Sequence, residues 1–578
     1  MILQALTDYY RRKCADPDVN ERLAPAGFES KEIPFILELD KQGKLVQIED
    51  TREVQGKKKI GRTYLVPQGV KKTSGVAANL LWDTAEYVLG IDTRGKPDRV
   101  KEQHKAFVDQ LDTVFGDTSD PGLRAVVQFL ANLDLTTLET LPQWEELQVG
   151  NPNLTFRLQG DIDLVCQRPG LVEVLQKPRE LDNESEYCLV SGDRDEIERL
   201  HPAIKGVWGA QTSGANIVSF NLPAFNSFGK EQGSNAPVGK RAAFAYTTSL
   251  NYLLRRESKQ RLQVGDASTV FWAEKPNPLE TGIVDAFGEP PKDDPDRNVL
   301  AVKGLYESSK TGGYAENNDK TRFYVLGLAP NAARIAIRFW YVSTVAQLAL
   351  HICQHFDDLE ISRPPYAQAY PTLFRLLLSI AVQGKADNIP PNLAGDVMRS
   401  ILAGLPYPQT LLQAAVRRIR AERDVSYLRV ALIKACINRD ARCKNPDNKE
   451  ELKVSLDLAN PNKGYRLGRL FAVLEKIQIE AFGGPEKINA NIRDRFYGAA
   501  SSTPVTVFSN LMKLKNHHLS KLEPRKAVYF EKLLGEIISD IDDFPSLLAL
   551  PDQGRFAIGY YHQQQAFYTK SQQSTQGE

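Results

Sequence analysis

The stretch Gly233-Ser-Asn-Ala-Pro-Val-Gly239-Lys240-Arg241 comes nearest to a phosphate-binding loop. A loop that hydrolyses nucleotides places four residues between its glycines and follows the lysine with Ser or Thr to hold magnesium. Here five residues separate the glycines, Arg241 stands at the metal-ligand position, and Pro237 removes a backbone donor. Nucleotide hydrolysis is rejected. Lys240, Arg241 and the loop's N–H groups still suit a nucleic-acid phosphate.

Two further stretches carry polar chemistry. Lys71-Lys72-Thr73-Ser74-Gly75 opens a predicted helix, where cations and free N–H groups favour a phosphate. The competing reading is an ordinary Ser N-cap with surface lysines. Gln211-Thr212-Ser213-Gly214-Ala-Asn216 runs on through Lys230, Gln232 and Asn235. Amide side chains can pair with base edges, and glycine lets a backbone approach closely. Asn79 joins these as a base-edge or wedge candidate, with Lys71, Lys72, Lys230, Lys240 and Arg241 as phosphate contacts. The competing reading is a polar loop network.

Evidence for catalysis is thin. His351 and His355 stand four apart, but Ile352 occupies the place of the glutamate in HExxH, and no further ligands lie nearby. Packing is the favoured reading. No nucleophile elbow appears. The six cysteines contain no CxxC pair, so reduced thiols are expected rather than disulfides or a zinc ribbon. No cofactor or metal is expected.

The elements that must position these residues read as α+β. Residues 34–48 alternate apolar and polar around Lys41-Gln-Gly43, a hairpin signal. Strands are expected at 62–66, within 154–190, and at 269–273 and 322–327. Helices are expected after Ser74 to Gly90, around Phe107–Val114, and over 242–254. Residues 275–320, rich in Pro, Gly, Asp and Lys, read as a long loop. From about 345 the apolar spacing is helical, as in Leu373, Leu376, Leu377 and Ile380, or Leu467, Leu470, Phe471 and Leu474. A mixed α/β domain over 1–345 followed by an all-helical bundle over 346–578 is the expected organisation.

Composition sets the remaining bounds. The chain has 578 residues with a formal net charge of +1 and 25% charged residues, ordinary for a globular protein. The charge is uneven: residues 371–578 hold 29 Lys+Arg against 21 Asp+Glu. A basic helical half can be a nucleic-acid surface or simply a solvated one. No run approaches the roughly 18 apolar residues of a membrane span, and the N-terminus turns charged too early for a signal peptide. A cytoplasmic protein is expected.

Several long strings carry a resemblance. They are Leu200-His-Pro-Ala-Ile-Lys-Gly-Val-Trp-Gly-Ala-Gln-Thr-Ser-Gly-Ala-Asn216, Phe228-Gly-Lys-Glu-Gln-Gly-Ser-Asn-Ala-Pro237, Val270-Phe-Trp-Ala-Glu274, Leu326-Gly-Leu-Ala-Pro-Asn-Ala-Ala-Arg334 and Arg493-Asp-Arg-Phe-Tyr-Gly-Ala-Ala-Ser-Ser-Thr-Pro504. Together they closely resemble the large subunit of the type I-C CRISPR Cascade. The resemblance implies a non-catalytic subunit of a crRNA-guided complex that inspects double-stranded DNA for the protospacer-adjacent motif (PAM) and helps open it. This matches a division in which protein reads a short motif and pairing reads the target. Its implied partners are the crRNA-containing Cascade (backbone subunits, the crRNA 5′-handle-binding subunit and small subunits), target duplex with its displaced strand, and a nuclease-helicase. It further implies that the last ~120 residues, a four-helix length, also exist as a separate small subunit. A start near Leu452 or Val454 would suit that length. Arg466, Arg469, Arg493, Arg495, Lys513, Lys515 and Lys521 would then face the displaced strand.

Overall fold

The computed structural model describes the whole chain except residues 19–20, 56–57, 71–74, 117–118, 177–184, 221, 312–319, 448–450, 540 and 576–578. The chain divides into two compact units. The smaller comprises Leu6–Pro202 and Phe220–Ser249. The larger comprises Met1–Ala5, Ala203–Ser219 and Leu250–Glu578. The class is α+β, with mixed structure early and helices from residue 345 onward.

In the smaller unit, α1 (Ile2–Cys14, beginning in the larger unit) precedes β1 (Phe28–Glu32), β2 (Phe35–Leu39), β3 (Leu45–Asp50), β4 (Glu53–Gln55), β5 (Lys58–Ile60), β6 (Thr63–Pro67) and β7 (Trp82–Thr84). Then come α2 (Ala85–Val88), α3 (Pro97–Phe115), α4 (Pro121–Ala131), α5 (Leu135–Leu138), α6 (Trp144–Gly150), β8 (Asn153–Leu158), α7 (Pro169–Gln176), β9 (Glu186–Tyr187), β10 (Arg194–Asp195) and α8 (Lys240–Leu253, ending in the larger unit). The sheet order is β3-β2-β8-β7, with β2 and β8 parallel. The expected hairpin is β2–β3, turned at Gly43 with φ +76°. Phe35, Leu37, Leu39 and Phe156 of this sheet pack with Phe107, Leu111 and Phe129 of α3 and α4.

The expected helix from Ser74 is not formed over its first part. Residues 75–81 are irregular, β7 follows, and only Ala85–Val88 is helical. Side-chain bonds outcompete the helix here: Asn79 Oδ1 accepts from Val70 N at 2.9 Å, Asp83 Oδ2 accepts from Asn79 N at 2.8 Å, and Trp82 Nε1 donates to Pro67 O at 2.7 Å.

The larger unit contains an antiparallel sheet, β11 (Arg261–Val264), β12 (Ala267–Ala273), β13 (Arg322–Asn331) and β14 (Arg334–Thr344), in sequential order. Residues 275–320 are not one long loop. They carry α9 (Leu279–Phe287) and α10 (Arg297–Thr311). Leu279, Ile283, Ala286 and Phe287 form a buried face at helical spacing, and Pro278 and Gly288 mark the ends of α9. The helices α11 (Val345–Leu359), α12 (Leu373–Ile380), α13 (Pro391–Ala403), α14 (Gln409–Glu422), α15 (Tyr427–Lys444), α16 (Lys463–Phe482), α17 (Ile492–Ala500), α18 (Val505–Leu519), α19 (Pro524–Ile538) and α20 (Leu550–Thr575) follow. The apolar residues picked out by spacing, such as Leu376, Leu411 and Leu470, are buried in one continuous core. None of the described helices is long and apolar enough to cross a membrane.

Three buried histidines bear on acid stability. His201 meets Tyr246 Oη at 2.6 Å, His355 meets Tyr407 Oη at 2.6 Å, and His562 meets Tyr465 Oη at 3.0 Å. Burial lowers His201 and His562 to about 4 and His355 well below its ordinary value. Between pH 6.5 and 4 the unfolded chain binds protons that the native state refuses, so stability falls as pH falls through that window. The limiting slope is about 1.4 kcal/mol per pH unit for each such histidine. Urea unfolding at pH 7.5, 6 and 5 is expected to show a falling midpoint; a flat profile would mean these imidazoles are not held neutral.

Candidate nucleic-acid interface

Residues 201–219 lie in an irregular run whose two ends are tied to secondary structure. Ile204 and Ala215 exchange both backbone bonds at 2.9 Å, and Ile335 N donates to Asn216 O at 2.9 Å, beside the β13–β14 hairpin. Trp208 N donates to Ser268 Oγ on β12 at 3.0 Å. Between these ties the chain turns outward. Gly214 N closes on Gln211 O at 2.9 Å, and Gly214 takes φ +94°, a conformation suited to glycine. Gln211, Thr212 and Ser213 are exposed, and their side chains hold no hydrogen bond to another described residue. Trp208 beside them is 61% exposed. An indole and three free polar side chains thus stand on a turn braced by a sheet. Asn216 lies at the base of this turn, in the bridge to Arg334.

The second loop belongs to the smaller unit. Lys230 N closes on Ser227 O at 2.9 Å around Phe228 (φ +51°) and Gly229 (φ +72°), a two-residue turn with both centres left-handed. Glycine meets that demand freely, whereas phenylalanine is strained by it. Phe228 is nonetheless 99% exposed. Asn235 braces the tip: its Oδ1 accepts from Ser227 N at 3.0 Å and its Nδ2 donates to the carbonyls of Lys230 and Gln232 at 3.1 Å. Gln232 Oε1 accepts from Arg199 Nη2 at 3.0 Å. Asn235 and Gln232 therefore position the loop, while Phe228 and the exposed Lys230 stand at its tip.

Other expected contacts are engaged within the protein. Asn79 is 5% exposed, and its Oδ1 already accepts from Val70 N, so no base edge reaches that atom in this conformation. Lys240 is paired with Glu196, and Arg241 Nε lies 3.3 Å from Asp195 Oδ2. The Asp195 carboxylate also accepts from Arg241 N at 3.1 Å. It thereby takes the place at the start of α8 that a phosphate would need. Lys71, Lys72, Thr73 and Ser74 lie outside the described residues.

In the helical region the seven cations separate into three groups. Arg466 and Arg469 are 9% and 3% exposed; Arg466 Nε donates to Asn460 O at 2.8 Å and Arg469 Nε to Gln563 Oε1 at 3.2 Å. They do not present charge to a strand. Arg493 is half-buried beside Glu475, and Lys515 pairs with Glu531 at 2.9 Å. Arg495, Lys513 and Lys521 are exposed, with Lys521 Nζ 5.1 Å from the centre of the Phe482 ring. Of the histidine pair, His351 meets Leu402 O at 2.7 Å and His355 meets Tyr407, both packing roles.

Residue-type reasoning singled out neither Trp208 nor Phe228 for contact. The available signal was an aromatic inside a Gly-, Ser- and Asn-rich run.

Comparison with known families gives the class: CRISPR-associated proteins. The family model for CRISPR-associated protein (Cas_Csd1) matches residues 6–568, nearly the whole chain. The chain belongs to that family. No curated protein matches it.

Proposed function

We propose that the chain is the non-enzymatic large subunit of a type I-C Cascade, which reads the PAM in duplex DNA and promotes its opening into an R-loop. The observation that carries this reading is the braced turn at 208–213, where the side chains of Trp208, Gln211, Thr212 and Ser213 project without hydrogen bonds to the described residues. Free amide and hydroxyl groups are what direct readout of a groove uses. Phe228 adds an aromatic face for stacking on an unpaired base. Arg495, Lys513 and Lys521 offer cations to a displaced strand, and Lys230 one to a phosphate. In this reading the partners are the crRNA-bearing complex and a nuclease-helicase, and the compartment is the cytoplasm.

The test uses the assembled crRNA-containing complex on duplexes with intact and mutated motifs. Gln211→Ala is expected to cost about 1–3 kcal/mol on the intact motif and little on the mutated one. Phe228→Ala is expected to slow strand opening, read by 2-aminopurine fluorescence, without changing thermal stability. Unchanged discrimination in Gln211→Ala and Trp208→Ala together would favour the other reading, a purely structural assembly subunit.

A further inference from the structure

The smaller unit contains a pocket of about 350 Å³ at the start of α3, lined by Gly75, Thr84, Glu86, Arg94, Arg99 and Gln103, among others. That volume is at the small end of the range for small-molecule sites, about 300–1,000 Å³. Helix α3 has 19 residues, and its N-cap residue, Lys96, makes no side-chain cap bond. Pro97 has no N–H, and the N–H groups of Asp98 and Arg99 bond no described acceptor. This leaves a positive helix end open to an anion.

The side chains add to that polarity. Lys96 and Arg99 line the pocket, are exposed, and have no acidic partner among the described residues. Glu86 is the acidic residue of the lining. Its carboxylate accepts from Thr93 Oγ1 and lies 3.2 Å from Arg94 Nε, so its charge is balanced locally. The pocket retains a net positive charge.

Gln103 lies one turn further along α3 and points to the ligand independently of the helix end. It is only 7% exposed, it lines the same pocket, and its Oε1 is buried with no hydrogen-bond partner among the described residues. A buried acceptor left unpaired costs free energy unless a ligand donor meets it. The phosphate group of a nucleotide, ionised to the dianion, has no such donor of its own. A nucleotide has one, on its sugar hydroxyl or base amine.

We infer that the pocket at the N-terminus of α3 binds one nucleotide, its phosphate held by Lys96, Arg99 and the helix N–H groups, and a sugar or base donor held by Gln103. This does not depend on motif reading, which is proposed for a turn on the other unit. The shared chemistry is a nucleoside 5′-phosphate. It can come from a ribonucleotide or from a deoxyribonucleotide.

The experiment titrates the full chain with AMP, dAMP, CMP, dCMP, adenosine and inorganic phosphate by calorimetry, then with short single-stranded RNA and DNA. Wild-type protein is expected to bind at least one nucleotide more than tenfold tighter than phosphate or adenosine alone. The ribo and deoxy arms identify the source. Arg99→Ala is expected to weaken that nucleotide at least tenfold. Gln103→Leu is expected to weaken it at least fivefold while leaving the melting temperature unchanged or raised, because an unpaired buried amide is replaced by a similar apolar shape. Equal affinity for phosphate and every nucleotide, or no binding by any probe, overturns the inference. So does a Gln103→Leu protein that melts higher and binds as wild type, since the glutamine would then be only an unsatisfied core group.

Discussion

Asp358→Ala is expected to destabilise the larger unit by about 3–5 kcal/mol, the cost of leaving one member of a buried ion pair alone. Arg439 is fully buried and Asp358 is 3% exposed. Arg439 Nε donates to Asp358 Oδ2 at 2.7 Å and Nη1 donates to Ser400 O at 3.3 Å, while the guanidinium carbon stands 4.3 Å from the centre of the Tyr407 ring. Arg442 Nη2 adds a bond to Asp358 Oδ1 at 2.9 Å. Without the carboxylate, one guanidinium remains in the core with carbonyls and a ring but no counter-charge. The pair ties α11 to α15, so the loss is shared by two central helices. Urea unfolding followed by far-UV circular dichroism measures it. The double variant Asp358→Leu/Arg439→Met is expected to recover most of the loss, because two apolar side chains need no pairing. A single-variant loss under 1 kcal/mol would mean that water reaches and solvates the stranded Arg439 guanidinium.

Gly559→Ala on α20 is expected to cost about 3 kcal/mol or more, at or above the top of the usual overpacking range. A Cβ there would lie 2.0 Å from Tyr465 O of α16, and one at Gly468 would lie 2.0 Å from Phe556 O of α20. The obstacle in both cases is a main-chain carbonyl, which cannot rotate aside, so the helix axes must separate and loosen the packing of Phe471, Phe556 and Tyr560. Gly535→Ala on α19 is the control. No atom of the described residues lies within 4 Å of its added methyl, and removing a mid-helix glycine is expected to stabilise by about 0.5–1 kcal/mol. Thermal unfolding of the two variants should shift in opposite directions. Equal melting temperatures would show that α16 and α20 can part without loss.

Local signals carried far in reading this chain, and non-local ones did not. The β2–β3 hairpin and the faces of α12, α14 and α16 depend on residue spacing within one element, so periodicity found them. The helices α9 and α10 were hidden by the Pro- and Gly-rich turns around them, because composition averaged over 275–320 hides two short apolar faces. At the candidate interface, the exposed Gln211–Ser213 turn followed from its polar, glycine-bounded composition. Asn79 and Arg469 did not, because what decides their role is a partner elsewhere: Val70 N for one and Gln563, on a helix 94 residues on, for the other. An amide or guanidinium looks the same in sequence whether it awaits a ligand or already has a neighbour. The α3 pocket was missed for the same reason, since it gathers Gly75, Glu86, Arg99, Gln103 and Asn151 from separate segments.

The place of α20 sets an order of events during synthesis. A Cβ on Gly554 would meet Ile433 and Ile437 of α15 and Leu412 of α14, so the last helix is seated directly on residues made long before it. At a bacterial elongation rate of about 5–20 residues per second, α14 waits roughly 7–28 s for that partner. During this interval Leu412, Ile433 and Ile437 form an uncovered apolar strip on the nascent chain. A polypeptide released before Gly554 keeps that strip open. Only a chain that already carries α20 closes it, so this helix must be made before the protein can leave the ribosome without an adhesive surface.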